Sequence, residues 1–222
     1  MTLLGIDTST PAAVAGVLRS DGELFEVVPP VERLGRPPAH ASELMPAVAD
    51  AMERATVNWG DLDAIAVGVG PGTFTGLRIG IATARALATA AELPLRPVSS
   101  LRALAGGVEA PVKLPLTDAR RGEVFAARYD GDAELWPPFA ASPEDLVARV
   151  REDGFAPLAA GDGSLRFRGM LQEAGIRIAP EDSTAHVIRA FHVCRLAEHA
   201  SDEPPEAVLP DYLREPDARP QA

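Results

Sequence analysis

The run from residue 63 to 91, DAIAVGVGPGTFTGLRIGIATARALATAA, leaves the chain few options. Its opening apolar residues (Ala64, Ile65, Ala66, Val67, Val69) read as a short buried strand that stops at Gly70-Pro71-Gly72, where the backbone must turn. Thr73 and Thr75 each offer a hydroxyl for capping, good helix formers continue to Glu92, and Pro94 ends the run. The unit is strand, glycine turn, helix. Glycines in such a place let backbone N–H groups approach an anion, although no Gly-Lys-Ser or Gly-Lys-Thr follows and the register is not GxGxxG. The helix carries a second signal, because Gly76, Gly80, Ala84 and Ala88 recur every four residues and share one face. A glycine inside a helix costs about 1 kcal/mol against alanine, so this face demands a close contact in return. The contact is either the chain's own sheet or a partner's backbone.

Composition narrows the partners. With 222 residues, 46% hydrophobic and 5% aromatic, the chain can form one large or two small domains around a core of alanine, leucine and valine. Its 21 positive and 32 negative side chains give a net charge of −11, which argues against a free-standing nucleic-acid binder; RNA would reach it through a partner. Cys194 is the sole cysteine, so neither an internal disulfide nor a cysteine zinc site can form, and it reads as a buried thiol in a helix. No apolar run reaches membrane-span length, and the opening MTLLGIDTST lacks the basic and long apolar parts of a signal peptide. The expected location is the cytoplasm, with no membrane contact.

Taken in order, residues 3–6 read as a strand ending in the oxygen-rich turn Asp7-Thr8-Ser9-Thr10-Pro11. Residues 12–18 and 24–28 are two more strands joined by an Asp21-Gly22 hairpin, and residues 29–38 read as a loop. The spacing of Leu44, Val48, Met52 and Ala55 predicts a helix to residue 55 with Ser42 as its cap and Pro46 near its start. After the central unit come a strand at 95–98 and a short helix at 99–105. The order β-β-β-α-β-α-β-α implies a mixed sheet with helices on its faces. Gly106-Gly107 marks a boundary between a lobe at 1–107 and a smaller α/β lobe at 108–222. The second lobe reads as a weaker echo. Strands at 112–116 and 123–129 flank Asp118-Ala119-Arg120-Arg121-Gly122, and another follows at 133–136. Ser142 then caps a helix, 156–160 is a strand, Gly161-Asp162-Gly163 is a turn, 165–173 is a helix, and Ser183 caps a long helix at 184–199. The Pro- and acid-rich tail, 202–222, reads as extended or partly disordered.

Six stretches together resemble the TsaB (YeaZ) family, truncated relatives of the Hsp70/actin/sugar-kinase superfamily. They are Ile6-Asp7-Thr8-Ser9, His40-Ala41-Ser42-Glu43-Leu44 with Pro46, GPGTFTGLRIG at 70–80, Val98-Ser99-Ser100-Leu101, Asp118 to Val124, and PDYLR at 210–214. The glycine run is the most specific, with Thr73 where the family often has serine. The resemblance implies a ribonuclease H-like lobe, a mixed sheet flanked by helices, followed by a smaller truncated lobe. It also implies a non-catalytic scaffold that activates a homologous TsaD-type transferase in threonylcarbamoyl modification of tRNA adenosine next to the anticodon. A TsaE-type ATPase would join, tRNA would be met only through the complex, and the chain alone would form a homodimer. Docking would use the helices at 42–55 and 75–91, here His40, Glu43, Leu44, Val48, Met52, Gly76, Leu77, Gly80, Ile81 and Ala84. Asp118, Arg120 and Glu123 belong to the family motif without an assigned role.

No catalytic constellation appears in the sequence. A TsaD-type metal site needs two histidines at i and i+4, and His40, His186, His192 and His199 contain no such pair. The alternative is a stand-alone nucleotide-dependent phosphotransferase. Asp7, Thr8 and Ser9 would then form one phosphate turn, Gly70, Gly72 and Thr73 another, and Gly161-Asp162-Gly163 an adenosine loop. No metal and no cofactor is expected for the chain alone, ATP or ADP entering at the level of the complex. An aspartate ending a strand in a Thr/Ser turn more often bonds its own backbone.

Overall fold

The computed structural model describes residues 1–213. Arg214 of the PDYLR motif and the rest of the tail, 214–222, lie outside the described residues. Strands β1 (Leu3–Asp7), β2 (Val14–Leu18) and β3 (Leu24–Val27) form an antiparallel meander. They are followed by α1 (His40–Ala55), β4 (Ala64–Gly70), α2 (Phe74–Ala91), β5 (Leu95–Ser99) and α3 (Ser100–Gly106). The sheet runs β3-β2-β1-β4-β5, with β4 parallel to β1 and β5 parallel to β4.

The second half repeats this plan. Strands β6 (Val112–Arg120), β7 (Glu123–Asp130) and β8 (Ala133–Ala141) form a meander, then α4 (Pro143–Asp153), β9 (Leu158–Ala160), α5 (Asp162–Arg166), α6 (Arg168–Glu173) and β10 (Arg177–Ile178) follow. Read from its meander edge, the second sheet is β8-β7-β6-β9-β10, the same order as the first. Two ribonuclease H-like lobes stand in tandem, the second with shorter helices.

Alternation along the strands sorts the core into layers. Leu4, Ile6, Val17, Ile65 and Val67 meet Leu44, Val48 and Met52 of α1 and Ile81, Ala84 and Ala88 of α2 on one face. Leu3, Val14, Leu18, Ala64 and Ala66 meet Leu101 and Leu104 of α3 and Val193, Cys194 and Ala197 of α7 (Ala190–Ala197) on the other.

Several expectations are corrected. The helix predicted at 184–199 is a 3-10 turn (Thr184–His186), an extended link and α7. Val187 and Ile188 are each 1% exposed, and their β-branched side chains enter the core from extended backbone. The predicted helix at 165–173 divides at Phe167 into α5 and α6. Ser42 does not cap α1, which starts at His40; its hydroxyl donates instead to the Ala39 carbonyl at 3.0 Å. The boundary at residue 107 does not divide the chain cleanly either, because α7 crosses back onto the first sheet. Gly5 and Gly16 sit opposite each other in β1 and β2, and added Cβ atoms would meet Cys194 Sγ at 2.6 Å and Ala190 Cβ at 2.8 Å. Farther on, Glu203 exchanges backbone hydrogen bonds with Leu95 at 2.8 and 2.9 Å, and the Asp211 amide donates to Val69 at 2.8 Å. Cys194 is the core thiol expected, and burial pushes its pKa up to about 12.

Candidate functional site

The two turns read as a phosphate cradle are filled by one another. Asp7 is 1% exposed; its Oδ1 accepts from the Ser9 amide (2.7 Å) and hydroxyl (2.6 Å), and its Oδ2 accepts from the Ser100 hydroxyl (2.6 Å). Burial raises the Asp7 pKa against the lowering effect of these bonds. Gly68 of β4 has no room for a Cβ beside that carboxyl, and the Gly70 amide donates to Ser100 Oγ at 3.2 Å. A Cβ on Gly72 would meet Ser9 Cβ at 2.5 Å, while the Thr73 amide donates to the Ser9 carbonyl at 2.8 Å. Asp7, Thr8, Ser9 and Gly70 thus bond or pack within the chain, and no open cradle lies between the two turns where Ser9 meets Gly72. Thr73 makes no side-chain cap for α2, and with Gly72 it borders a cavity described below.

The docking face is corrected in the same way. Gly76 and Gly80 press on Thr8, whose hydroxyl donates to the Gly76 carbonyl at 2.7 Å, and a Cβ at either glycine would overlap Thr8. Leu44, Val48, Met52, Ile81 and Ala84 are buried in the chain's own core, and His40 and Leu77 are buried as well. Glu43 is half-buried and receives Arg33 Nε at 3.0 Å. The glycine face is filled by Thr8, in the turn that follows β1. The outward faces carry other residues at four-residue spacing, Ala41, Met45 and Ala49 on α1 and Ala82, Ala86 and Ala90 on α2, all exposed. Leu77 and Ile81, flanking the glycine stripe, were the signal that this side turns inward.

Between the lobes lies the Asp118 cluster. Asp118 is 7% exposed; its Oδ2 accepts from Arg166 (2.6 Å) and Arg120 (3.1 Å), and its Oδ1 from the Arg120 amide (2.9 Å). Arg120, Arg121 and Gly122 have φ of 65°, 51° and 82°, so the β6–β7 turn is left-handed and folds Arg120 back over Asp118. Glu123 pairs with Arg120 in the strand register. The Asp118 amide donates to Asp162 Oδ1 at 3.1 Å. Asp118 and Arg120 separate a cavity of about 980 Å³, bordered also by Leu34, Arg36, Asp162 and Arg166, from one of about 510 Å³ bordered by His40, Thr73, Phe74 and Tyr212. Sequence reading missed Arg166 and the link from Asp162 to Asp118, both of which reach across more than forty residues. The segment Gly161-Asp162-Gly163, read as a turn and only under the phosphotransferase alternative as an adenosine loop, is the start of a helix. Gly161 (φ 106°) and Gly163 pack directly on the backbone of Leu116 and Thr117, and the segment opens α5. His186 accepts from the Gly161 amide at 3.1 Å. Among the described residues, no three His, Cys, Asp or Glu side chains group to hold a metal.

A family profile described as TsaD, tRNA N6-adenosine threonylcarbamoyltransferase, matches residues 36–162. An uncharacterized Mycobacterium tuberculosis protein is 36% identical, the match covering 100% of this chain and 95% of that one. The tRNA threonylcarbamoyladenosine biosynthesis protein TsaB of Escherichia coli is 39% identical, covering 79% of this chain and 78% of its own. The chain belongs to the TsaB family. The solved structure described as YeaZ from Pseudomonas aeruginosa superposes with a TM-score of 0.76 at 29% identity, over 96% of this chain and 99% of that one.

In this TsaB chain the family motifs converge on one junction. Asp7 binds Ser100, Thr8 binds Gly76, Asp118 and Arg120 share a cavity with His40 and Gly72, and Arg78 donates to the Tyr212 hydroxyl at 3.0 Å. Asp162 adds a pH-dependent part. Burial, reinforced by the Asp118 charge, raises its pKa from 3.8 to about 6. The folded chain thus keeps a proton that the unfolded chain has lost, so the stabilising contribution is complete below about pH 4 and disappears as pH rises through 6, on the order of 3 kcal/mol. Urea unfolding of Asp162→Asn is expected to lose that falling limb between pH 4 and 7. An unchanged limb would assign it to another group.

Proposed function

We propose that this TsaB-family chain is a non-catalytic scaffold that docks a TsaD-type transferase through the outward faces of α1 and α2. The supporting observation is that pair of faces. Met45 is 43% exposed, and the small exposed side chains of Ala41 and Ala49 on α1 and of Ala82, Ala86 and Ala90 on α2 let another helix approach closely. The TsaD profile match includes both helices, so a TsaD-type subunit carries counterparts of α1 and α2. Two such pairs can face each other across a pseudo-twofold axis, burying the same patch on both sides. In the absence of that subunit a second copy of this chain would take the position. A TsaE-type ATPase and the tRNA join at the level of the complex, in the cytoplasm, and the product is threonylcarbamoyladenosine next to the anticodon.

The rival reading, a stand-alone phosphotransferase, meets two turns already packed against each other at Ser9 and Gly72. That contact leaves no room for a phosphate between Ser9 and Gly72. Incubating the purified chain with ATP, magnesium and tRNA should give no turnover. Adding the TsaD-type transferase of the same organism should give a 1:1 complex, and the modification should then need both subunits. Phosphoryl transfer by the chain alone would overturn the proposal.

A further inference from the structure

We propose that the cavity where α1 and α2 begin is a binding site for a small monocarboxylate with an apolar body, its carboxylate held by His40 and the first amides of α2. The site belongs to the single chain and does not rest on the scaffold reading.

Three independent features meet there. First, α1 has 16 residues and α2 has 18, and neither Ala39 nor Thr73 caps its helix with a side chain. The leading N–H groups and the positive end of each helix dipole suit an anion. Second, His40 is 2% exposed and borders the cavity, yet among the described residues neither ring nitrogen has a hydrogen-bond partner. Thr73 Oγ1, at the start of α2, is likewise buried without one. Buried polar groups are nearly always paired, so two unpaired ones at one cavity ask for a ligand that supplies polar atoms. Third, Phe74 and Tyr212 stack with ring centroids 5.2 Å apart and share the wall with Phe125, a surface for an apolar body.

Charge decides the class. Burial, and then the Arg33 guanidinium, lower the His40 pKa, so the imidazole is neutral at pH 7 and offers one N–H donor. Arg120 adds positive charge to the wall, whereas both oxygens of Asp118 already accept from Arg120, and Oδ2 also from Arg166. Those oxygens are poorly placed to hold a cation. Asp211 stands on the same wall and opposes a doubly charged phosphate more than a singly charged carboxylate. The cavity, about 510 Å³, accommodates a ring-sized molecule.

Benzoate is the probe. In the ¹⁵N-labelled full chain at constant ionic strength, benzoate should give saturable shifts in the His40 ring nitrogens and in the amides of Phe74, Thr75 and Gly76. His40→Phe, checked for folding by circular dichroism, should weaken binding about tenfold or more, the loss of one hydrogen bond to a charged group. If that variant fails to fold, the wild-type His40 ring shifts alone decide. The proposal fails if those nitrogens stay silent, if sodium chloride reproduces the shifts, or if His40→Phe binds benzoate as well as wild type. Inorganic phosphate binding at these amides without benzoate binding would also overturn the carboxylate assignment.

Discussion

Gly76→Ala is expected to destabilise the chain by about 3 kcal/mol, the upper range for forcing an added carbon into a packed interior. The new methyl would overlap the carbonyl oxygen of Thr8, a backbone atom that cannot rotate aside. Any relief would draw α2 from β1 and stretch the 2.7 Å bond from the Thr8 hydroxyl to the Gly76 carbonyl. Gly169→Ala, inside α6 with nothing near the added carbon, is the control. It should be neutral or stabilising by up to about 1 kcal/mol. Urea midpoints of the two variants give the comparison, and a Gly76→Ala chain as stable as wild type would mean that the glycine side of α2 is not packed on β1.

The second large effect is on assembly. Arginine in place of Ala86 puts a long charged side chain in the middle of the outward face of α2, where a docked helix would have to bury it. Association with the TsaD-type transferase should weaken by about a hundredfold or more, as for a disrupted interface centre. The isolated variant should unfold within about 0.5 kcal/mol of wild type, because Ala86 is exposed in the single chain. The contrast between positions is informative. Gly76 is buried against Thr8 and Ala86 is exposed on the same helix, so the first variant should lose stability and the second should lose only its partner.

Much of this architecture was legible in the chain because it is local. A short apolar run placed Leu4 and Ile6 in a buried strand, the Gly70-Pro71-Gly72 break separated β4 from α2, and Ser142 capped α4 as expected. The reading of Asp7 as a residue that folds onto its own turn also holds, with Ser9 as the donor. What was not legible is set by distant contacts. A four-residue stripe states that a helix face is narrow without saying what approaches it, and only packing shows that Thr8 fills it. Val187 and Ile188 leave the helical path because the core beneath the first sheet takes them, a competition that a helical pattern does not reveal. Arg166 meets Asp118 only through the second sheet, which brings β9 beside β6. His40 looked like an interface residue from its motif, and its burial without a partner depends on where α2 begins.

The scaffold reading is tested most directly by methyl NMR of the full chain, labelled at Met and Ala, during titration with the TsaD-type transferase of the same organism. The methyls of Met45, Ala82 and Ala86 should shift or broaden first and saturate at one equivalent. A complex that forms while these three resonances remain unchanged, or the failure of any complex to form, would contradict it.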